Sequence, residues 1–235
     1  MSRVRVSRSI SESGVVNREG CRTKAHQEQQ NMERRIERSN WSIYTLKTHI
    51  LNAEEIEDAT KKIGIQLPEM IFGNNVIRIS HQGFMIEFNA LDALDLVVKH
   101  GNPTGGLVKV SYSNEWLKDK QFDIVKPFDW TYTTEYKGTS DARFIHSDHS
   151  IPFDKLRQHD PILFFDDVVL FEDELGDNGI AMYSVKIRVM SERLFLLARF
   201  FLRVDGVLLR VKDTRLFIEY ADDPVVLKRS WLVPP

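Results

Sequence analysis

The chain has 235 residues, 42% of them hydrophobic and 28% charged, which is ordinary for a globular protein with one substantial core or two small ones. A net charge of −2 hides an asymmetry: residues 1–38 hold nine Lys/Arg against five Asp/Glu, and the remainder 23 against 29. A mildly acidic body gives no electrostatic case for nucleic acid, no apolar run approaches the ~18 residues that span a bilayer, and one cysteine, Cys21, excludes an internal disulfide framework.

Residues 1–38 are polar, with scattered single aliphatics and no aromatic, so they read as a disordered basic arm preceding one globular domain over 39–235. A short helix across 27–37 is the structured alternative, with Met32 and Ile36 four apart. From Trp41 the texture changes. "WSIYTLK" alternates Trp41, Ile43 and Thr45 on one side of an extended segment. "NAEEIEDATKKIG" predicts a helix with Asn52 as N-cap, Glu55 at N3, an apolar stripe of Ile56, Ala59 and Ile63, and Gly64 at its end. "NNVIRISHQGFMIEFN" predicts two strands, Val76–Ser80 and Phe84–Asn89, joined by a turn at Gly83. "NALDALDLVVKHG" predicts a second helix, capped by Asn89 with Asp92 at N3 and striped by Leu91, Leu94, Val97 and Val98. A loop, "GNPTGG", leads to a strand over Leu107–Tyr112 and a short helix over Asn114–Lys118.

In "KPFDWTYTTEYKGT" the aromatics Phe128, Trp130, Tyr132 and Tyr136 fall on even positions, and Asp129, Glu135 and Lys137 on odd ones. Such alternation describes a half-buried strand, so aromatics and carboxylates face opposite ways and do not share one catalytic pocket. Further on, "DDVVLFEDEL" and "YSVKIRVM" suit strands around a "GDNG" turn. The strongest hairpin signal is "LFLLARFFLRVDGVLLRV". A two-residue turn at Asp205-Gly206 would pair Val204 with Val207, Leu202 with Leu209 and Phe200 with Val211. That register puts Arg199, Arg203, Arg210 and Lys212 together on the opposite face. The fold class is therefore α+β, a mostly antiparallel core of two layers with two or three outer helices.

Motifs for chemistry are sparse. No phosphate-cradling loop follows "GNPTGG", no nucleophile elbow is present, and Cys21 lies in the basic arm. His146, Asp148, His149 and His159 are the metal candidate, but H-x-x-H in a loop is a weak pattern beside a surface-loop reading. The acidic run from Asp166 to Asp177 lacks the order of a calcium loop and reads as a solvated strand edge. No cofactor is expected. The Arg stripe is either paired with neighbouring carboxylates or forms a groove floor for an acidic tail, since Arg grips carboxylates bidentately.

Several blocks carry a family likeness: "LPEMIFGNNVIRI", "GFMIEFNALDAL", "VKPFDWTYTTEYKGT", "VLFEDELGDNG" and "SVKIRVM…FLLARFFLRVDGVLLRVKDTRL". Together, over about Trp41 to Leu216, the chain resembles the TIPRL family of TOR signalling pathway regulators. The resemblance implies a non-enzymatic regulator, monomeric when free, and the single cysteine, which fits a reducing compartment, reads as cytoplasmic and also nuclear. It would bind type 2A-like protein phosphatase catalytic subunits, including their acidic C-terminal tail, and modulate activity or holoenzyme assembly. It further implies partner contacts at Asp92, Ile151, Val211 and Asp213, with Val211 standing where a methionine is expected. Arg199, Arg203 and Arg210 join them from the stripe argument. The residues themselves leave two alternatives open, a peptide- or carbohydrate-binding module using the aromatics of 128–136 and a metal-assisted hydrolase. Asp92 is also a helix-cap residue, Asp213 a turn residue and Val211 a core residue on this reading.

Overall fold

A computed structural model describes residues 31–65, 67–100, 108–110, 126–128, 134–206, 208–221 and 225–233. The expectations for Cys21, for the loop after His100, for a helix over Asn114–Lys118 and for Trp130 and Tyr132 lie outside these residues, as do the side chains of Val97, Val98 and Phe128.

The first surprise comes at once. Met32–Arg38 is a strand, β1, antiparallel to β2 (Trp41–Lys47), where the sequence reading expected a polar arm or a helical turn. Its inward positions are Arg34, Ile36 and Arg38, so the alternation is real but two of three inward residues are cations. Arg34 Nη1 donates to the Phe165 carbonyl at 2.8 Å and Arg38 Nε to the Ser191 carbonyl at 3.0 Å, while Ile36 packs on the core. Counter-groups supplied from 131 and 153 residues away make this polar segment a strand, and no local pattern announces them.

The rest of the N-terminal half follows its local signals. Helix α1 (Ala53–Ile63) carries the capping box, with Asn52 Oδ1 accepting from the Glu55 N–H at 3.0 Å and Glu55 Oε2 from the Asn52 N–H at 2.8 Å. Gly64 ends it in the left-handed conformation, φ 81°. A two-residue strand β3 (Met70–Ile71) precedes the hairpin β4 (Val76–His81) and β5 (Phe84–Asn89), and α2 (Ala90–His100) follows. Asn89 Oδ1 accepts from the Asp92 N–H at 2.8 Å, the expected cap. Strands β6 (Val108–Val110) and β7 (Lys126–Phe128) form a separate pair. Residues 134–138 keep the buried–exposed alternation but join no ladder, and β8 (Thr139–Ser140) pairs with β5.

After the short helix α3 (Phe153–Leu156), the C-terminal half is four long antiparallel strands and an edge strand that the sequence reading missed. They are β9 (Phe164–Asp173), β10 (Gly179–Val189), β11 (Arg193–Val204), β12 (Leu208–Glu219) and β13 (Val225–Val233). One sheet runs β1-β2-β4-β5-β8 and the other β13-β12-β11-β10-β9-β3. The described residues thus form two large antiparallel sheets, the small β6–β7 pair and three helices, the expected α+β class. Between the sheets lies one core, with Ile43, Ile77, Ile79 and Ile86 of the first against Val168, Phe171, Val185 and Ile187 of the second.

One further set of polar groups joins the layers. Asp166, on β9 and 2% exposed, accepts from Thr45 Oγ1 (2.6 Å) and Lys47 Nζ (2.5 Å) on β2, with Arg34 Nη1 at 3.4 Å. The acidic run is therefore not uniformly solvated. On the side away from β10, the first half of β9 has no ladder partner among the described residues, and its carbonyls there are taken by side chains: Arg34 on Phe165, Lys47 on Asp167 and Asn75 on Val169. An open edge is closed without a strand.

At the start of β10, Gly179 (φ 156°) lies so close to β11 that an added Cβ would sit 2.0 Å from the Arg203 carbonyl oxygen. Gly179→Ala must push β10 off β11 at its end. It is expected to cost about 2–4 kcal/mol in urea unfolding. A change under about 0.5 kcal/mol would show that the strand ends separate freely.

Candidate functional site

The hairpin β11–β12 decides the surface. Its register pairs Val204 with Leu208, Leu202 with Arg210, Phe201 with Val211 and Arg199 with Asp213. The loop is one residue longer than a two-residue turn, so every partner on β12 shifts by one from the expected pairing. Because paired residues share a face, that shift moves the whole set to the other side. The expected stripe of Arg199, Arg203, Arg210 and Lys212 on one face does not exist. Arg199 and Arg203 point away from the core with Val211 and Asp213, and Arg210 and Lys212 lie on the side of Phe200 and Leu202. Val211 is half-buried on the outer face, not on the core side, and Asp213 is a strand residue, not a turn residue.

The outer face is built around Asp213, whose side chain is fully buried. Arg199 grips it bidentately, Nε at 2.7 Å and Nη2 at 2.9 Å, and Arg215 Nη2 adds a contact at 3.2 Å. The hydrogen bond to Asp213 holds the Arg199 guanidinium above its usual pKa. Arg215 in turn stacks on Trp231 at 4.4 Å and on Phe153 at 5.6 Å. Trp231 stands opposite Asp213 in the β12–β13 register. Segment 153–160 covers one end of this face, where Lys155 binds Glu219 at 2.6 Å and Asp160 holds the buried Arg193 at 2.7 Å. Beyond that cover lie Arg203, 54% exposed and, among the described residues, paired with its loop neighbour Asp205 at 2.8 Å, and Leu209, 47% exposed.

The other proposed contact residues sit elsewhere. Ile151 is buried at 4% exposure. Asp92 is half-buried at the start of α2, where its Oδ2 accepts from Asn89 Nδ2 (2.9 Å) and from Thr139 Oγ1. Thus Arg199, Arg203, Val211 and Asp213 are brought together, and Asp92, Ile151 and Arg210 are not.

On the core side of the same sheet is an open cleft of about 320 Å³ between residues 134–137 and the β11–β13 strands. Phe200, Tyr183, Thr214 and Ser230 line it together with Glu135, Lys137, Arg210 and Lys212. Glu135 accepts from Lys212. Tyr136 donates to the Glu87 carbonyl (3.0 Å), and burial pushes its hydroxyl up to about 12. Tyr183 donates to the Tyr136 carbonyl at 3.1 Å, tying this segment to the sheet. Sequence reasoning missed Arg215, Trp231 and Lys228. The signal was present in "VVLKRSWLV", whose alternation places Lys228 and Ser230 on one face and Arg229 and Trp231 on the other.

Among the described residues no group of three or more His, Cys, Asp or Glu side chains could hold a metal ion, and no helix is long and apolar enough to cross a membrane. What the geometry defines is a two-sheet protein with a rigid Arg- and aromatic-rich face and a cationic cleft behind it. Residues 70–231 match the TIP41-like family, and the chain belongs to that family. It is 47% identical over 219 residues to "Type 2A phosphatase activator TIP41" of Saccharomyces cerevisiae, covering 82% of this chain and 60% of that protein. It is 44% identical over 200 residues to the human "TIP41-like protein", covering 80% and 72% of the two chains. It is 37% identical over 192 residues to "Type 2A phosphatase activator tip41" of Schizosaccharomyces pombe, covering 78% and 75%.

Proposed function

We propose that this chain binds the catalytic subunit of a type 2A-like protein phosphatase and modulates its activity or holoenzyme assembly. In this reading it works without catalysis of its own, within TOR signalling, in cytoplasm and nucleus, and is monomeric when free. The observation that carries the reading is the identity of 37–47% to relatives named as type 2A phosphatase activators, over both sheets of the fold. The outer face supports it physically. Arg and Trp anchored on a rigid sheet are the residue types that dominate interface energies, and here Asp213 pre-sets the two guanidinium groups. Arg203 is the natural receiver of an acidic tail, since its exposed pair with Asp205 is weak and easily exchanged. Arg199, Val211 and Asp213 complete this contact surface. Asp92 and Arg210 are proposed as contacts on separate surfaces, with Ile151 supporting the segment that leads into α3.

A pull-down with purified components tests this. A full-length phosphatase catalytic subunit should be retained at micromolar concentration, and a tail-truncated one more weakly. Arg203→Glu should reduce affinity about tenfold, the order of one charge-assisted hydrogen bond reversed into repulsion. Failure to retain any such subunit would sink the reading. An unchanged affinity for Arg203→Glu would remove the outer face from the mechanism and leave the family assignment intact.

A further inference from the structure

Four residues along β11 from Arg199, the outer face carries a second feature. Arg188, on β10, stands between two phenylalanines in the register, Phe165 on β9 and Phe195 on β11. β10 is an interior strand of the six-stranded sheet, so the row has a fixed backbone. Arg188 is exposed, Phe165 is 48% exposed and Phe195 is half-buried. Just before β9, Ile162 and Leu163 are 53% and 42% exposed, and the Leu163 N–H is anchored on the Val189 carbonyl at 2.8 Å. Among the described residues Arg188 has no ion pair. Both of its ladder neighbours are rings, and Asp167, one row along, is taken by Lys186 at 2.8 Å. Single exposed aliphatics are ordinary, but an unpaired guanidinium set among apolar side chains on a rigid sheet has the make-up of an interface core.

We propose that the row Phe165, Arg188, Phe195 is a docking site for an acidic amphipathic helix of a partner protein. Charge selects the acid: a guanidinium covered by a partner needs a carboxylate there, or its desolvation opposes binding. Shape selects the helix. No backbone edge is offered here, since β10 and β11 are interior strands and Arg34 takes the Phe165 carbonyl. Adjacent strands lie about 4.8 Å apart, so the row is about 10 Å long. A helix rises about 10 Å from position i to i+7, with i+3 and i+4 midway on the same face. Large apolar residues at i and i+7 then meet the two rings, while Asp or Glu at i+3 or i+4 meets Arg188. An extended peptide fails this match, because its side chains about 10 Å apart, at i and i+3, face opposite ways. The site is separate from Arg203 and Asp213 and does not depend on the phosphatase reading.

The probe is a phage-displayed library of random peptides about four helical turns long, selected against the full chain and remeasured as synthetic peptides by calorimetry. The selected peptides should share an Asp or Glu with large apolar residues three or four positions to either side. They should also gain helical circular dichroism on binding. Arg188→Glu and Phe165→Ser should each weaken binding about tenfold, while Lys61→Glu on α1 leaves it unchanged. A peptide with Lys in place of its central acid should bind Arg188→Glu more tightly than wild type. Both replaced side chains are exposed, so the variants are compared at unchanged thermal midpoints. A selection without the shared acid and apolar spacing, peptides that stay unfolded when bound, or an affinity untouched by either substitution would each overturn the proposal.

Discussion

Asp166→Ala is expected to lower the free energy of unfolding by about 3 kcal/mol, because it removes a buried carboxylate that joins the two sheets. Its loss strands the Thr45 hydroxyl, itself fully buried, without an acceptor. Lys47 and Arg34 are 32% and 39% exposed and can turn to water, which keeps the cost below that of a wholly enclosed ion pair. Asp166→Asn keeps the shape and one acceptor, so it should cost about half as much. Urea midpoints at constant m-value give the order wild type, Asn, Ala, and equal midpoints for all three would remove this joint from the stability of the fold.

The same carboxyl sets a pH dependence. Burial alone would raise its pKa, but hydrogen bonds from Lys47 and Thr45 and the charge of Lys47 outweigh that and hold it below its ordinary value. A carboxyl depressed in the folded state contributes stability that is full above the unfolded pKa of ~3.9 and is lost as pH falls through the folded value. Wild type should therefore lose more stability than Asp166→Asn between pH 5 and 3. Parallel curves would contradict the assignment.

The second large effect is at Asp213. Asp213→Ala should cost about 3 kcal/mol, since a fully enclosed carboxylate with two guanidinium partners is taken from under them. Arg199 is 41% exposed and Arg215 24%, so part of the loss is recovered by hydration. The coupling is the sharper measurement. In an Arg199→Met background, Asp213→Ala should cost at least ~1.5 kcal/mol less than in wild type, and additivity would mean that the bidentate pair contributes nothing of its own. If the outer face receives the phosphatase, the same substitution should weaken retention about tenfold at a temperature where the protein is folded, because Arg199 and Arg215 lose their fixed orientation.

How far the sequence foretold all this depends on the range of the forces involved. The caps at Asn52 and Asn89, the β4–β5 hairpin and the alternation of Val185, Ile187 and Val189 are local, and each is found where its pattern indicates. β1 was hidden because its inward cations are answered from β9 and the β10–β11 turn, far along the chain. Asp166 looked like a surface acid because Lys47 and Thr45 reach it only once the sheets stack. The hairpin went wrong by a single loop residue, which was enough to disperse an Arg stripe that the letters draw. The family likeness was legible in long blocks, but not the face on which its residues would stand.

That extra loop residue has a consequence for any chain built on this plan. Beyond Asp205 and Gly206, the β12 residue that first pairs with Val204 works as a parity bit for all twelve residues of the strand. With the sequence unchanged, a slip of the pairing by two residues keeps each side chain on its face. A slip by one swaps the strand's two sides, turning Asp213 inward against the rings of Phe200 and Tyr183 and Lys212 outward beside Arg199. Insertions or deletions confined to the tip that keep Val204 opposite Leu208 leave both faces as they are.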